Sequence, residues 1–177
     1  MTDKPYDFPT IDIVLSVRNE PLLQRTIDSL AQQDYPKDRF RIILVDDFSD
    51  EDESLSVLDQ IEHEPWPITV KIIRLCNELS ASYANLPNKK RALTLGAKAS
   101  KASFLAFTDG DCIAHPGWLK GFIKETKRNN QCKMVLAGIK PIEQGGFIRH
   151  FAMMEQAALT TLSGGSLMAG IPLMANG

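Results

Sequence analysis

Short apolar runs that alternate with helically spaced stretches constrain this chain more than any other feature. Ile11 to Val17 carries one acid in an otherwise compact run and reads as a strand. A helix from about Pro21 to Gln33 follows, with Leu22, Leu23, Ile27 and Leu30 on one face and Pro21 at its first turn. Arg41 to Asp46 is a second strand. Asp50-Glu51-Asp52-Glu53 then opens a helix that runs to about His63, since acids favour the positive end of the helix dipole. Pro65 and Pro67 break the chain before a third strand, Ile68 to Leu75. A helix over Lys89–Ser100, a buried strand over Phe104–Thr108 and a helix from Pro116 to about Arg128 come next. Met134 to Gly138 is expected as a strand and Phe147 to Leu162 as a helix.

Apolar strands that alternate with helices predict an α/β fold, a mainly parallel sheet with helices on both faces. In such sheets ligands bind outside the carboxyl ends of the strands. Those ends carry Ser16-Val17-Arg18-Asn19-Glu20, then Asp46-Asp47-Phe48-Ser49-Asp50, then Asp109-Gly110-Asp111. Acids from three separate segments therefore meet on one edge, where they repel unless a cation or a donor-rich ligand is present. Singly, each has an ordinary role: helix-start acids at Asp50 to Glu53, a turn former at Asp46, a tight turn at Asp109-Gly110-Asp111. The turn reading is strained by the buried strand directly before it. Two carboxylates one residue apart suit a hard cation, Mg²⁺ or Mn²⁺, which also takes phosphate oxygens.

Composition narrows the class. The 177 residues allow one ordinary domain, and 44% hydrophobic with 24% charged residues is a globular balance. Net charge is −2, yet residues 1–64 hold sixteen acids and six bases, while 65–177 hold six acids and fourteen bases. The second half therefore reads either as a solvated basic face or as one turned toward phosphate or an anionic membrane surface. Lys120, Lys124, Lys127 and Arg128 fall on nearly one helix face in that half. Cys76, Cys112 and Cys132 form no C-x-x-C pair, which argues against a disulfide framework or a zinc site. No signal peptide is read at the N-terminus, and the apolar stretch Leu167 to Ala175 is too short to span a bilayer.

The order S-V-R-N-E, V-D-D-F-S-D, K-K-x-A-L and F-T-D-G-D-C resembles the family 2 glycosyltransferases. The likeness runs from about Ile11 to Gly177, and Asp109-Gly-Asp-Cys-Ile-Ala-His-Pro-Gly-Trp-Leu is its most characteristic stretch. It implies the Rossmann-like GT-A fold, with residues 1–177 as a single nucleotide-sugar-binding domain cut short at its C-terminus. It implies transfer of a sugar, with inversion, from a UDP-sugar to a glycan or lipid-linked acceptor. Ser16 and Arg18 would line the nucleotide pocket, with Arg18 where many members have Tyr. Glu20 would contact the nucleotide or brace its loop, and Asp47 would read the uracil edge. Lys89, or in its place Lys90 or Arg91, would face the diphosphate. Asp109 would touch the donor sugar or ribose, and Asp111 would hold Mg²⁺ or Mn²⁺ with it. The catalytic base is expected after Gly177, so this chain by itself could be inactive. The resemblance further implies a longer parent with C-terminal membrane helices, and a cytoplasmic domain at the inner face of the membrane. No nucleic-acid partner is expected.

Two other classes remain in view. Asp46-Asp47 and Lys140 after apolar runs resemble a receiver-type phosphorylation switch. The intervals fit poorly, 62 residues from Asp47 to Asp109 and 31 from Asp109 to Lys140. A non-catalytic nucleotide-sugar-binding module is the other. A dinucleotide-binding oxidoreductase is weaker, because no G-x-G-x-x-G follows the first strand. His115 reads as a turn residue before Pro116, Cys112 as small apolar filler, Trp118 and Phe122 as core, and Glu155 as an acceptor-site or structural residue.

Overall fold

The computed structural model describes residues 8–75, 83, 85–128, 132–140, 154 and 158. The chain divides into two compact units, Met1–Ile123 and Lys124–Gly177. In order, the elements are β1 (Ile11–Val17), α1 (Leu23–Ala31), β2 (Phe40–Asp46), α2 (Asp52–His63), β3 (Thr69–Arg74), α3 (Asn88–Lys98), β4 (Phe104–Phe107) and α4 (Trp118–Arg128).

The four strands form one sheet in the order β3-β2-β1-β4, and every pairing is parallel. Ile11 lies opposite Phe40 on one side and Phe104 on the other. Side chains alternate across a strand, so β1 and β2 send alternate residues into two different cores. Ile11, Ile13, Leu15 and Val17, with Ile42 and Leu44, pack against Leu23, Ile27 and Leu30 of α1, Leu58 and Ile61 of α2, and Leu119 and Ile123 of α4. Val14, Ile43 and Val45 pack against Ala92 of α3. Helices thus cover both faces, as the strand–helix alternation predicts.

The close approach of α3 rests on a glycine. A Cβ at Gly96 would lie 2.5 Å from Val14 Cγ1 and 3.1 Å from Val45 Cγ2. Asp12 is buried on this same face, and Arg41 donates from Nε and Nη2 to its two oxygens at 2.8 and 2.9 Å. Burial alone pushes Asp12 up, but the bonds from Arg41, with further ones from Ser100 and the Lys101 backbone, hold it below the usual carboxylate value.

Two expectations change. β4 pairs only with β1 among the described strands, and Phe104, Leu105 and Phe107 stay 38, 41 and 51% exposed. Its apolar sequence suggested full burial, but burial needs cover on both faces, and only Ala106 has it. Residues 132–140 contain no strand, and Met134, Leu136 and Ile139 are exposed. An apolar run becomes a strand only with a partner for its backbone groups, and none is present among the described residues. Of the helix expected over Phe147–Leu162, Met154 and Ala158 are described, both helical. Cys76 and Glu155 lie outside the described residues.

Candidate nucleotide-diphosphate site

The strand order reverses direction at β1, and the loops after β1, β2 and β4 open there on one cleft. It has a volume of about 250 Å³ and is lined by Ser16, Val17, Arg18, Glu20, Asp47, Lys89, Asp109, Gly110 and Asp111. All seven residues singled out from the sequence are in that lining. They come from four separate segments of the chain.

The first two loops are tied to each other. Asn19 takes a left-handed φ of 50°, which its short polar side chain tolerates. Its Oδ1 accepts the N–H groups of Asp50 and Glu51 at 2.9 and 3.1 Å, and its Nδ2 donates to Asp50 Oδ1 at 2.6 Å. Asn19 therefore satisfies backbone donors just before α2, whose own N-cap makes no side-chain bond. Phe48 also has a positive φ, 61°. The turn around it is fixed by Asp47 N–H donating to Val17 O at 2.8 Å and Ser49 N–H to Asp46 Oδ1 at 3.1 Å. Asp46 is the turn former read from sequence. Glu20 accepts the Leu22 N–H at 2.9 Å and so braces the entry to α1.

The Asp109-Gly110-Asp111 loop is held from beneath. A Cβ on Gly110 would meet Val17 Cγ1 at 2.7 Å and Glu20 Cγ at 3.1 Å, so only glycine lets the loop lie against the first one. Thr26 Oγ1 donates to Gly110 O at 2.5 Å, Ser29 Oγ accepts the Ala114 N–H at 3.0 Å, and Gln33 bridges His115 O at 2.8 Å and Leu119 N at 3.1 Å. The sequence reading missed these three supports. They recur at i, i+3 and i+7, two on α1 and Gln33 just past its C-terminus, beside the apolar stripe, and that spacing was the available signal. His115 Nδ1 accepts the Gly117 N–H at 3.1 Å, a turn role. Trp118 and Phe122 meet edge to face, 5.0 Å between ring centres, and Trp118 packs on the core.

Charge in the cleft is partly balanced from within. Lys89 Nζ lies 2.7 Å from Asp109 Oδ1, both side chains about half exposed at 55 and 50%. Arg91 Nη2 lies 3.1 Å from Asp47 Oδ1, and these side chains are only 12 and 8% exposed. Arg91 does not line the cleft, so of the three basic residues considered for the diphosphate, Lys89 is the one that faces it.

Donor atoms of Asp109, Asp111 and Cys112 lie within 4.8 Å of one another. Burial, then the Asp111 and Asp109 charges, push the Cys112 thiol up, despite bonds with Asp109 and Thr108 that pull it down. A hard cation prefers oxygen to sulfur, which leaves two carboxylates, one of them on the exposed Asp111. That donor set fits a hard divalent cation sharing its other positions with phosphate or water.

The family model for Glycosyl transferase family 2 matches residues 12–165. Probable N-acetylgalactosaminyltransferase 6 of Caenorhabditis elegans is 30% identical over 130 residues, 72% of this chain and 20% of that protein. The mannosyltransferase PcManGT from Pyrobaculum calidifontis, solved in complex with GDP-Man and Mn²⁺, is similar at a TM-score of 0.57 and 20% identity, over 70% of this chain and 34% of that one. S. aureus TarS 1-349 in complex with UDP-GlcNAc gives a TM-score of 0.54 at 23% identity, over 68% of this chain and 32% of that one. This chain therefore matches between a fifth and about a third of these proteins. At such identities the two structures speak to the GT-A fold.

Proposed function

The chain belongs to glycosyl transferase family 2, and on that premise we propose that its cleft binds the diphosphate of a nucleotide-sugar, a UDP-sugar foremost. Family membership sets aside the phosphorylation switch. The observation that carries the proposal is the convergence of Ser16, Arg18, Glu20, Asp47, Lys89, Asp109 and Asp111 on one cleft at the strand ends. PcManGT and TarS were solved with nucleotide-sugars, which supports the same class of donor.

In this reading Asp109 and Asp111 would hold Mg²⁺ or Mn²⁺, which would supply positive charge for the diphosphate. Lys89 contributes a second positive charge. Its exposed pair with Asp109 is worth only about 0–1 kcal/mol, so it exchanges readily for a phosphate oxygen. Asp47, one strand beyond β1 from Asp109, receives the nucleoside end. Arg18 stands exposed at the mouth beside Ser16, and Glu20 keeps the loop that bears them in place. The sugar passes with inversion to a hydroxyl of a glycan or lipid-linked acceptor. No described carboxylate is assigned the acceptor's base. We place the protein at the cytoplasmic face of a membrane, supported by the basic second half of the sequence.

Calorimetric titration with UDP, with and without Mn²⁺, tests the site. We expect metal-dependent binding that weakens in Asp111→Asn by roughly a hundredfold, the upper end of what loss of a residue that merely braces a metal ligand costs. Binding indifferent to Mn²⁺ or unchanged in that variant would sink the metal assignment.

A further inference from the structure

The buried ion pair behind the cleft calls for a role. Arg91 sits on the first turn of α3, and its guanidinium reaches past the cleft wall to Asp47. Asp47 lines the cleft and Arg91 does not. Arg91 Nη2 is also 3.3 Å from Asn88 Oδ1, while its Nε is buried without a partner. Among the described residues, Asp47 has no other side-chain partner. A buried arginine with an unsatisfied N–H is costly to keep, so a solvated salt bridge elsewhere on α3 would have stabilised the helix better.

The position of Asp47 makes the arrangement intelligible. It follows β2, while Asp109 and Asp111 follow β4, and β1 lies between. Two strand spacings put them on the order of 10 Å apart across the sheet edge. A diphosphate held at Asp109 and Asp111 would thus direct its nucleoside toward Asp47. A carboxylate there accepts hydrogen bonds from base or ribose donors, and it does so well only if its oxygens are fixed beforehand.

We propose that Arg91 is a positioning residue for nucleoside recognition: it holds Asp47 as a fixed anionic acceptor at the nucleoside end of the cleft, without touching the ligand. The idea rests on the diphosphate reading above. It separates two contributions, the diphosphate end at Lys89, Asp109 and Asp111, and the nucleoside end at Asp47 backed by Arg91.

The test compares UDP with inorganic pyrophosphate, both titrated with Mn²⁺ into the wild-type chain, Arg91→Met and Arg91→Lys. Pyrophosphate probes the diphosphate end alone. In Arg91→Met, UDP affinity is expected to fall roughly tenfold, the worth of a well-set charge-assisted hydrogen bond, while pyrophosphate affinity changes by less than about twofold. Arg91→Lys keeps the charge and is expected to restore part of the UDP preference. Equal losses for UDP and pyrophosphate would reduce Arg91 to a structural residue and overturn the proposal. So would an unchanged UDP-to-pyrophosphate ratio. If Arg91→Met does not fold, the wild type still decides, because equal affinity for UDP and pyrophosphate would mean no nucleoside contact for Arg91 to support. Failure of both ligands to bind the wild type would instead overturn the diphosphate reading itself.

Discussion

Gly110 shows how much one residue carries. Its missing side chain lets the aspartate loop lie against Val17 and Glu20, and its carbonyl takes the Thr26 hydroxyl. Gly110→Ala forces the loop outward and is expected to cost about 1–3 kcal/mol, the usual range for overpacking. Urea unfolding measures the cost, and a matching loss of Mn²⁺-dependent UDP affinity is expected. A cost without any effect on UDP would detach the loop from the site. Asp12 behaves differently, because its role is stability alone. Its carboxyl is held below the unfolded value, so its contribution is complete above about pH 4 and disappears as pH falls through the lower folded value. Asp12→Asn is expected to lose about 1–3 kcal/mol at pH 7, with the gap to wild type closing in acid. Thermal melts across that range check it, and a gap that persists undiminished at the acid end contradicts the assignment.

Among the elements, α1 and α3 do the positioning. Thr26 and Ser29 on α1, with Gln33 just past its C-terminus, hold the loop from Gly110 to Leu119. Gln33 is fully buried, and its two bonds satisfy two backbone groups. Gln33→Leu is therefore expected to destabilise by roughly 2 kcal/mol, since the buried Leu119 N–H loses its partner, while His115 O keeps the Trp118 N–H. Helix α3 carries Lys89 to the cleft and Arg91 to Asp47 only because Gly96 allows it onto Val14 and Val45. Gly96→Ala should displace α3 and lower UDP affinity together with the melting temperature; a drop in melting temperature alone would show that the first turn of α3 moves independently. This paired loss distinguishes α3 from α2, whose Asn19 cap is worth about 1 kcal/mol and bears on the cleft only through the loop.

At the scale of the whole molecule, part of the positive charge counted in the sequence is balanced by acids among the described residues. Lys120 pairs with Asp34 at 2.7 Å and Arg128 with Glu125 at 3.6 Å. No described helix is long and apolar enough to cross a membrane. If the basic half nevertheless serves a membrane, sedimentation with anionic vesicles should retain the chain at low salt and release it near 0.5 M, roughly where screening shortens to a few ångströms. Equal retention on neutral vesicles would discard the electrostatic account.

The sequence by itself determined the strand–helix alternation, the parallel sheet and the seven residues of the cleft. The alternation and the sheet depend on local periodicity, and the cleft residues of the three loops on a general rule about strand ends, while Lys89, on a helix, was singled out only through the family resemblance. Asp109 and Asp111 stood out because two acids after an apolar strand are hard to explain as a turn. The tertiary structure decided what periodicity cannot encode. It left β4 half exposed and residues 134–138 without a strand, because strands exist through their partners. It chose Lys89 over its two basic neighbours, because helix phase and the approach of Gly96 fix which one faces the cleft. It joined Arg91 to Asp47, 44 residues away, in a pair that no spacing announces. Long-range contacts of that kind arise from packing two separate elements onto one sheet edge, and only the folded chain brings them together.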